Sequence, residues 1–261
     1  MRTQSLGWAT DLAVLELAGS AVEEHADHLV VRSPSNPDFH WGNCIFVTDP
    51  AAVDDADRWV DVFRGSFSDA DWTAIGLARM PVYRTAWERH GLALELDDVL
   101  ATTHPPRQTA PPVGYAVRGL VGEDWEQLVA REMAVNEETA QYDAVAYERF
   151  ARARVESQRA LVDRDAAFFV GAFVGGRLVA ELGIVDCGGT ARYQNVGTAP
   201  EHRGRGIASH LIGVAAAWAA SRGCAQWVIV TEATNPAGRV YRRAGFDLVE
   251  PIVQTYRAPH R

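Results

Sequence analysis

Val196-Gly197-Thr198-Ala199-Pro200-Glu201-His202-Arg203-Gly204-Arg205-Gly206-Ile207-Ala208 decides how the rest of the chain is read. A β-branched segment runs through a proline into a glycine-rich turn. An apolar series then recurs at helical spacing: Ile207, Leu211, Ile212, Val214, Ala215, Trp218 and Ala219. The pattern predicts a strand, a turn, and a helix from about Gly206 to Ser221 that Gly223 ends. At such a turn the first helical amides lack intrahelical acceptors and sit at the positive end of the helix dipole. Gly204 and Gly206 let an anion approach the backbone closely, and Arg203 and Arg205 add charge. Arg203 to Ala208 therefore has the chemistry of a pyrophosphate cradle. Two other glycine-rich phosphate sites fit worse. Position 209 is Ser209, not the third glycine of a dinucleotide fingerprint, and the Lys-Ser/Thr ending of a phosphate loop is missing.

Upstream, Tyr115 to Leu120 reads as a short strand, and Glu123 to Val135 and Ala144 to Val162 read as helices. Ala166 to Val174, the turn Gly175-Gly176, Arg177 to Val185, the turn Cys187-Gly188-Gly189 and Ala191 to Thr198 predict three antiparallel strands in succession. Downstream, Trp227 to Val230 is an apolar strand. Asn235-Pro236 has the signature of a helix start, and Gly245 closes that helix. Phe246 to Glu250 and Ile252 to Tyr256 are expected as two final strands. The order is that of a mixed α+β layer.

Arg203-x-x-Gly206-x-Ala208 resembles the pyrophosphate motif of the GNAT acetyltransferase superfamily, and Val196 to Pro200 matches its strand-then-proline lead-in. Asn235-x-x-Gly238-x-x-Tyr241-x-x-x-Gly245-Phe246 resembles the second signature of that superfamily. The resemblance covers roughly residues 115 to 257. It implies a mixed, mostly antiparallel sheet flanked by helices, acetyl-CoA as cofactor, and N-acetyl transfer by direct attack of an amine on the thioester. Carried over position by position, it implies that the backbone of Val196, Gly197 and Thr198 pairs with the pantetheine arm. Amides of Arg203, Gly204, Arg205, Gly206, Ile207 and Ala208 would hold the pyrophosphate, and Asn235 would contact the cofactor arm. Tyr241 would protonate the leaving thiolate, a role its ordinary pKa of about 10 suits at neutral pH.

The base that takes the amine's proton is less legible. Where some relatives carry a glutamate on the strand before the turn, this chain has Arg192, Gln194 and Asn195. Glu232, at the end of the following strand, is the preferred candidate and Glu181 the other; the alternative for Glu232 is a solvated strand end. Asn136, Gln141 and Tyr142 fall between the first two helices, a connection that lines the acceptor site in relatives. Asn136 and Tyr142 are thus candidate substrate-binding residues, or else ordinary loop polars.

Thr102 to Pro112 holds four prolines and reads as a linker between packed units, or as one long surface loop. Three segments are expected: 1–101, the linker 102–112, and a catalytic domain at 113–261. The first segment echoes the second. Trp41 to Pro50 resembles Tyr193 to Pro200, and Trp87 to Leu92 lines up with Tyr241 to Phe246; strand end to glycine is 41 residues in one copy (Pro50 to Gly91) and 45 in the other (Pro200 to Gly245). The echo has lost its chemistry, because Asp54, Asp55 and Asp57 stand near the cradle position and Trp87 replaces the tyrosine. A shortened, degenerate GNAT-like unit is expected there, the alternative being an unrelated α+β cap.

Bulk properties narrow the partners. A formal charge of −9 disfavours a general nucleic-acid binder and suits a cationic acceptor. Cys44, Cys187 and Cys224 are far apart and form no Cys-x-x-Cys pair, which fits a reducing compartment and neither a disulfide framework nor a metal knuckle. The first apolar stretch, Leu12 to Leu17, is short and carries Glu16, so a membrane partner is not expected and a cytoplasmic location is. The expected activity is N-acetylation of a primary amine on a small molecule by a monomer or homodimer. A peptide acetyltransferase and a non-catalytic acyl-CoA sensor or scaffold are the alternatives.

Overall fold

The computed structural model describes residues 3–259. The first half runs α1 (Leu6–Leu17), β1 (Ala21–Glu24), β2 (His28–Arg32), β3 (Cys44–Val47), α2 (Ala56–Ser66), β4 (Thr73–Leu77), α3 (Arg84–Glu88) and β5 (Ala93–Thr102). The second half runs β6 (Ala116–Gly119), α4 (Asp124–Thr139), α5 (Ala144–Asp163), β7 (Ala167–Val174), β8 (Arg177–Asp186), β9 (Thr190–Thr198), α6 (Ile207–Ser221), β10 (Gln226–Glu232), α7 (Ala237–Ala244) and β11 (Asp247–Arg257). From β3 to β5 the first half repeats the strand–helix–strand–helix–strand order of β9 to β11.

All eleven strands join one mostly antiparallel sheet, in the order β1-β2-β3-β4-β11-β5-β10-β9-β8-β7-β6. The centre of this order is an exchange. β5, the last strand of the first half, has β10 and β11 as its neighbours, both from the second half. β11, the last strand of the second half, has β4 and β5, both from the first. The proline-rich run separates the halves in sequence but not in the sheet. It packs on α6 instead: Gly213 lies so close to Gln108 that a Cβ there would meet its backbone at 2.9 Å. His210 Nδ1 lies 2.8 Å from the Thr109 carbonyl.

The final segment differs from expectation. One bulged strand replaces the two expected at Phe246–Glu250 and Ile252–Tyr256, with Leu248 opposite Leu100 and Glu250 opposite Val99. Pro251 lies inside this strand; β4 pairs only from Val253 onward, so at Pro251 one side of the strand is unpaired and tolerates a missing donor.

Strand alternation sorts the helices onto two faces. Leu100, Trp227 and Ile229 pack with α6 and α7, whereas Val99, Ala101, Val228 and Val230 pack with α1. α2 and α3 share the α6/α7 face through Leu94 and Val253, and α4 and α5 share the α1 face through Phe169 and Val185. Among the described residues no helix is long and apolar enough to cross a membrane.

Candidate active site

β9 and β10 run parallel and pair only from Thr190/Gln226 to Arg192/Val228. Beyond that point they part, and the sheet opens between Tyr193–Thr198 and Ile229–Glu232. β9 is also bulged. Glu181 faces Gly197 while Gly183 faces Gln194, so β9 carries an extra residue there, and Asn195 takes the left-handed φ of 47°. A bulge leaves strand groups unpaired, and here it does so beside the opening.

The glycine turn stands at the end of that strand. Gly204 and Gly206 have φ of 73° and 77°, and a Cβ at either would meet no atom within 4 Å. Gly206 caps α6 with no side chain bonded to the helix end, so the first amides of α6 face open space. Arg203 Nε donates to the Thr198 carbonyl at 3.0 Å and Arg205 to the Glu201 carbonyl at 3.2 Å, which folds both guanidinium groups onto the turn. The cradle is open, cationic and at a positive helix end.

Tyr241 lies in α7 on the same face, 5 % exposed in the cluster with Ile207, Ile229 and Phe246. Burial pushes its hydroxyl up to about 12, so it is protonated at neutral pH. The Asn235 side-chain Oδ1 accepts from the Ala237 amide at 2.9 Å, which fixes the start of α7.

On the opposite face the opening leads into a cavity of about 390 Å³. Both arms of the split contribute, Gln194 and Asn195 from β9 and Val230 to Glu232 from β10; α1, α5, β5 and β11 close the remaining sides. Asp97 of β5 is the residue that the sequence reading missed. It lies opposite Glu232 across the β5–β10 ladder and is 9 % exposed. Gln254 donates to its Oδ2 at 2.8 Å, while Oδ1 is buried with no partner. Burial, then the charges of Glu232, Glu95 and Asp11, push the Asp97 carboxyl up to about 6, against the pull of Arg192. Arg192 itself is buried and bonded to Asp11 of α1, with Nε at 3.1 Å. Across the cavity, Gln158 Oε1 and Arg154 Nε of α5 are also buried without partners.

Glu181 does not reach this cavity. It is held by Arg131 in a buried ion pair, and its carboxylate covers Gly197 so closely that a Cβ there would collide with it. Asn136 and Tyr142 are joined to each other: the Asn136 amide donates to the Tyr142 carbonyl and accepts from the Tyr142 amide, both at 3.1 Å. That pair pins the α4–α5 connection. Tyr142 lines a second cavity, with Gln141, and Asn136 lines neither.

The corresponding place in the first half is shut. β3 and β4 stay paired to their last residues, Val47 and Leu77, and the Phe46 ring fills the space beside Gly76. Asp54 is taken by Arg79 at 2.6 Å, Asp57 by His90 at 2.6 Å, and Asp55 caps α2. Trp87 is fully buried. Carboxylates that would repel a phosphate here tie loops together.

The profile of the Acetyltransferase (GNAT) family matches residues 123–246, which span α4 to α7 and so include the split, the cradle and Tyr241. The match covers just under half of the chain. The matched family is one of N-acetyltransferases that use acetyl-CoA. Among solved structures, the chain is similar to a GCN5-related N-acetyltransferase from Kribbella flavida, at 17% identity and TM-score 0.65, over 97% of this chain and 96% of that one. A GCN5-related N-acetyltransferase from Sphaerobacter thermophilus aligns at 20% identity and TM-score 0.60, over 90% and 81%. A tandem GNAT protein from the clavulanic acid biosynthesis pathway aligns at 15% identity and TM-score 0.55, over 95% and 88%. At these identities the likeness is one of fold, and it extends over both halves of the chain. Among curated proteins none matches.

Proposed function

We propose that the chain transfers an acetyl group from acetyl-CoA to the primary amine of a small molecule held in the cavity between the halves. The observation that carries this is the juxtaposition of two features at one gap in the sheet. The open glycine cradle stands on one face, and Asp97, whose Oδ1 is buried without a partner, lines the cavity on the other. The residues present fit the cofactor, because the cradle is unobstructed and no side chain competes for the first amides of α6. Acetyl-CoA supplies an activated thioester when bound. Amides of Arg203 to Ala208 would hold its pyrophosphate, the bulged backbone of Val196 to Thr198 would pair with its arm, and Asn235 would contact it. Tyr241, protonated, would be the proton donor for the departing thiolate.

In this reading Asp97 takes the proton of the acceptor amine. It is preferred to Glu232 because it is buried, has one oxygen free, and titrates close to neutral pH, as a general base should. Glu232 acts as the neighbouring charge that keeps Asp97 basic. The cavity is of the size that holds small ligands, and both halves wall it, which favours a small amine over a peptide strand. Gln158 and Arg154 on the α5 wall favour an acceptor with a second polar group.

Isothermal titration of acetyl-CoA into the native protein and into an Arg203→Asp/Gly206→Glu variant tests the cofactor half. Binding is expected to weaken by roughly tenfold to a hundredfold in the variant, which puts carboxylates at a positive helix end and strains a left-handed position. Equal affinity in both would remove the cradle from the proposal. Thiol release with a panel of small amines tests the acceptor half, and release only with peptides would overturn it. The sequence contains no lysine, so self-acetylation of lysine cannot contribute to that signal.

A further inference from the structure

A second cavity, of about 430 Å³, lies where the first half's turn Asp38–Trp41 meets the start of α5. Its wall is aromatic, built from His40, Trp72, Tyr142, Tyr147, Phe150 and Tyr256. The rings form a connected shell. Centroids are 4.5 Å apart for His40 and Trp72, 5.7 Å for His40 and Tyr256, 5.7 Å for Tyr142 and Tyr147, and 5.4 Å for Tyr147 and Phe150.

The charges around this shell are unequal. Arg149 is neutralised by Asp38 at 2.9 Å, and Arg154 by Glu132. Burial pushes the His40 imidazole down to about 4, so it is neutral at physiological pH and shares a 2.6 Å hydrogen bond with the Tyr256 hydroxyl. The acids are in excess. Asp143 accepts from the Val145 and Ala146 amides, and Asp71 forms no ion pair among the described residues. Aromatic faces carry partial negative charge and attract a weakly hydrated cation, and a carboxylate at the rim adds to that pull. An anion would meet the acids, and a neutral apolar ligand would leave them unused.

We propose that this cavity binds an organic cation through an alkylated ammonium group, seated against the aromatic shell with Asp71 and Asp143 as counter-charges. The site does not depend on acetyl transfer. It gives the first half, whose own cradle position is closed, a share in a binding site with the second.

Choline and its uncharged carbon isostere 3,3-dimethylbutan-1-ol are the probes, titrated calorimetrically into the full chain. Choline is expected to bind saturably, with a dissociation constant in the millimolar range or tighter, and the isostere about tenfold or more weakly. Asp71→Asn should weaken choline severalfold, and salt should weaken it in the native protein. Trp72→Leu and Tyr142→Leu should each cost about tenfold. Tyr142→Leu is the safeguard should Trp72→Leu unfold, with circular dichroism as the check. Equal affinity for the two probes would mean an apolar hollow without cation recognition. Absence of saturable choline binding to the native protein, or unchanged affinity in folded Asp71→Asn and Tyr142→Leu variants, would overturn the assignment.

Discussion

Asp97→Asn lowers kcat by about 10²- to 10⁴-fold at neutral pH, the range typical of a lost general base, and at the same time makes the protein more stable. The two effects have one cause. In the unfolded chain an aspartate titrates near 3.8, whereas burial and the Glu232 and Glu95 charges push Asp97 up to about 6 in the fold. Between those values the folded state binds the proton more tightly. Stability therefore falls as pH rises from about 3.8 to about 6, and above 6 the cost of the buried charge is fully present. Asparagine removes that charge and can still accept from Gln254, so the gain at pH 7.5 is up to about 3 kcal/mol, shrinking as pH falls below 6. Urea unfolding at the two pH values measures it. A purely structural aspartate would behave in the opposite way, with its loss destabilising the fold and leaving chemistry intact.

The rate profile gives a second, independent readout. Asp97 works ionised, so kcat/KM should rise through about pH 6 in the native enzyme. Acceptor amines also lose protons as pH rises, so the limb belonging to Asp97 is recognised by difference. Asp97→Asn abolishes it, and Glu232→Gln, which removes a neighbouring negative charge, moves it to lower pH. An unchanged profile in both variants would exclude Asp97 as the base.

The cofactor half of the site was legible because its chemistry is local. Gly204, Gly206 and the following apolar helix lie within one strand–turn–helix, and the structure puts that turn at the strand end where the sheet parts. The acceptor half was not. Asp97 lies in Ala93–Thr102, a stretch whose strand partners in β10 begin 125 residues away, at Thr102 opposite Trp227. One signal was there to read. Glu95 and Asp97 continue the spacing of Val99 and Ala101, so acids occupy the apolar face of a strand, as a polar cavity inside a core requires. Asn136 and Tyr142 illustrate the reverse case. Their candidacy rested on the resemblance, in which the connection between the first two helices lines the acceptor site; here the side chain of Asn136 is spent on the backbone of Tyr142. The pairing of β5 with β10 was beyond any local pattern, since the proline-rich run between the halves marks a boundary in sequence without saying which strands cross it.

That exchange yields the largest effect on folding. Residues 113–261 expressed alone should not form a soluble monomer, and co-expression of 1–102 with 103–261 should restore a soluble complex. In the isolated second half, β11 has lost both of its sheet neighbours, and β10 keeps only a three-residue parallel pairing with β9. Val228, Ile229 and Leu100 are buried in the intact sheet, so removing β5 exposes an apolar edge whose amides and carbonyls have no partners. A domain of this size is stable by only about 5–15 kcal/mol, and losing the pairing of two central strands exceeds that margin. Aggregation, or a dimer in which one copy's β11 takes the place of the missing β5, is the expected fate. Size-exclusion chromatography and thermal unfolding of the fragment decide the matter. A monomeric fragment that unfolds cooperatively and binds acetyl-CoA as tightly as the full chain would mean that β11 can move beside β10 unaided. The first half would then be an addition to a self-sufficient enzyme rather than the supplier of a central strand and of Asp97.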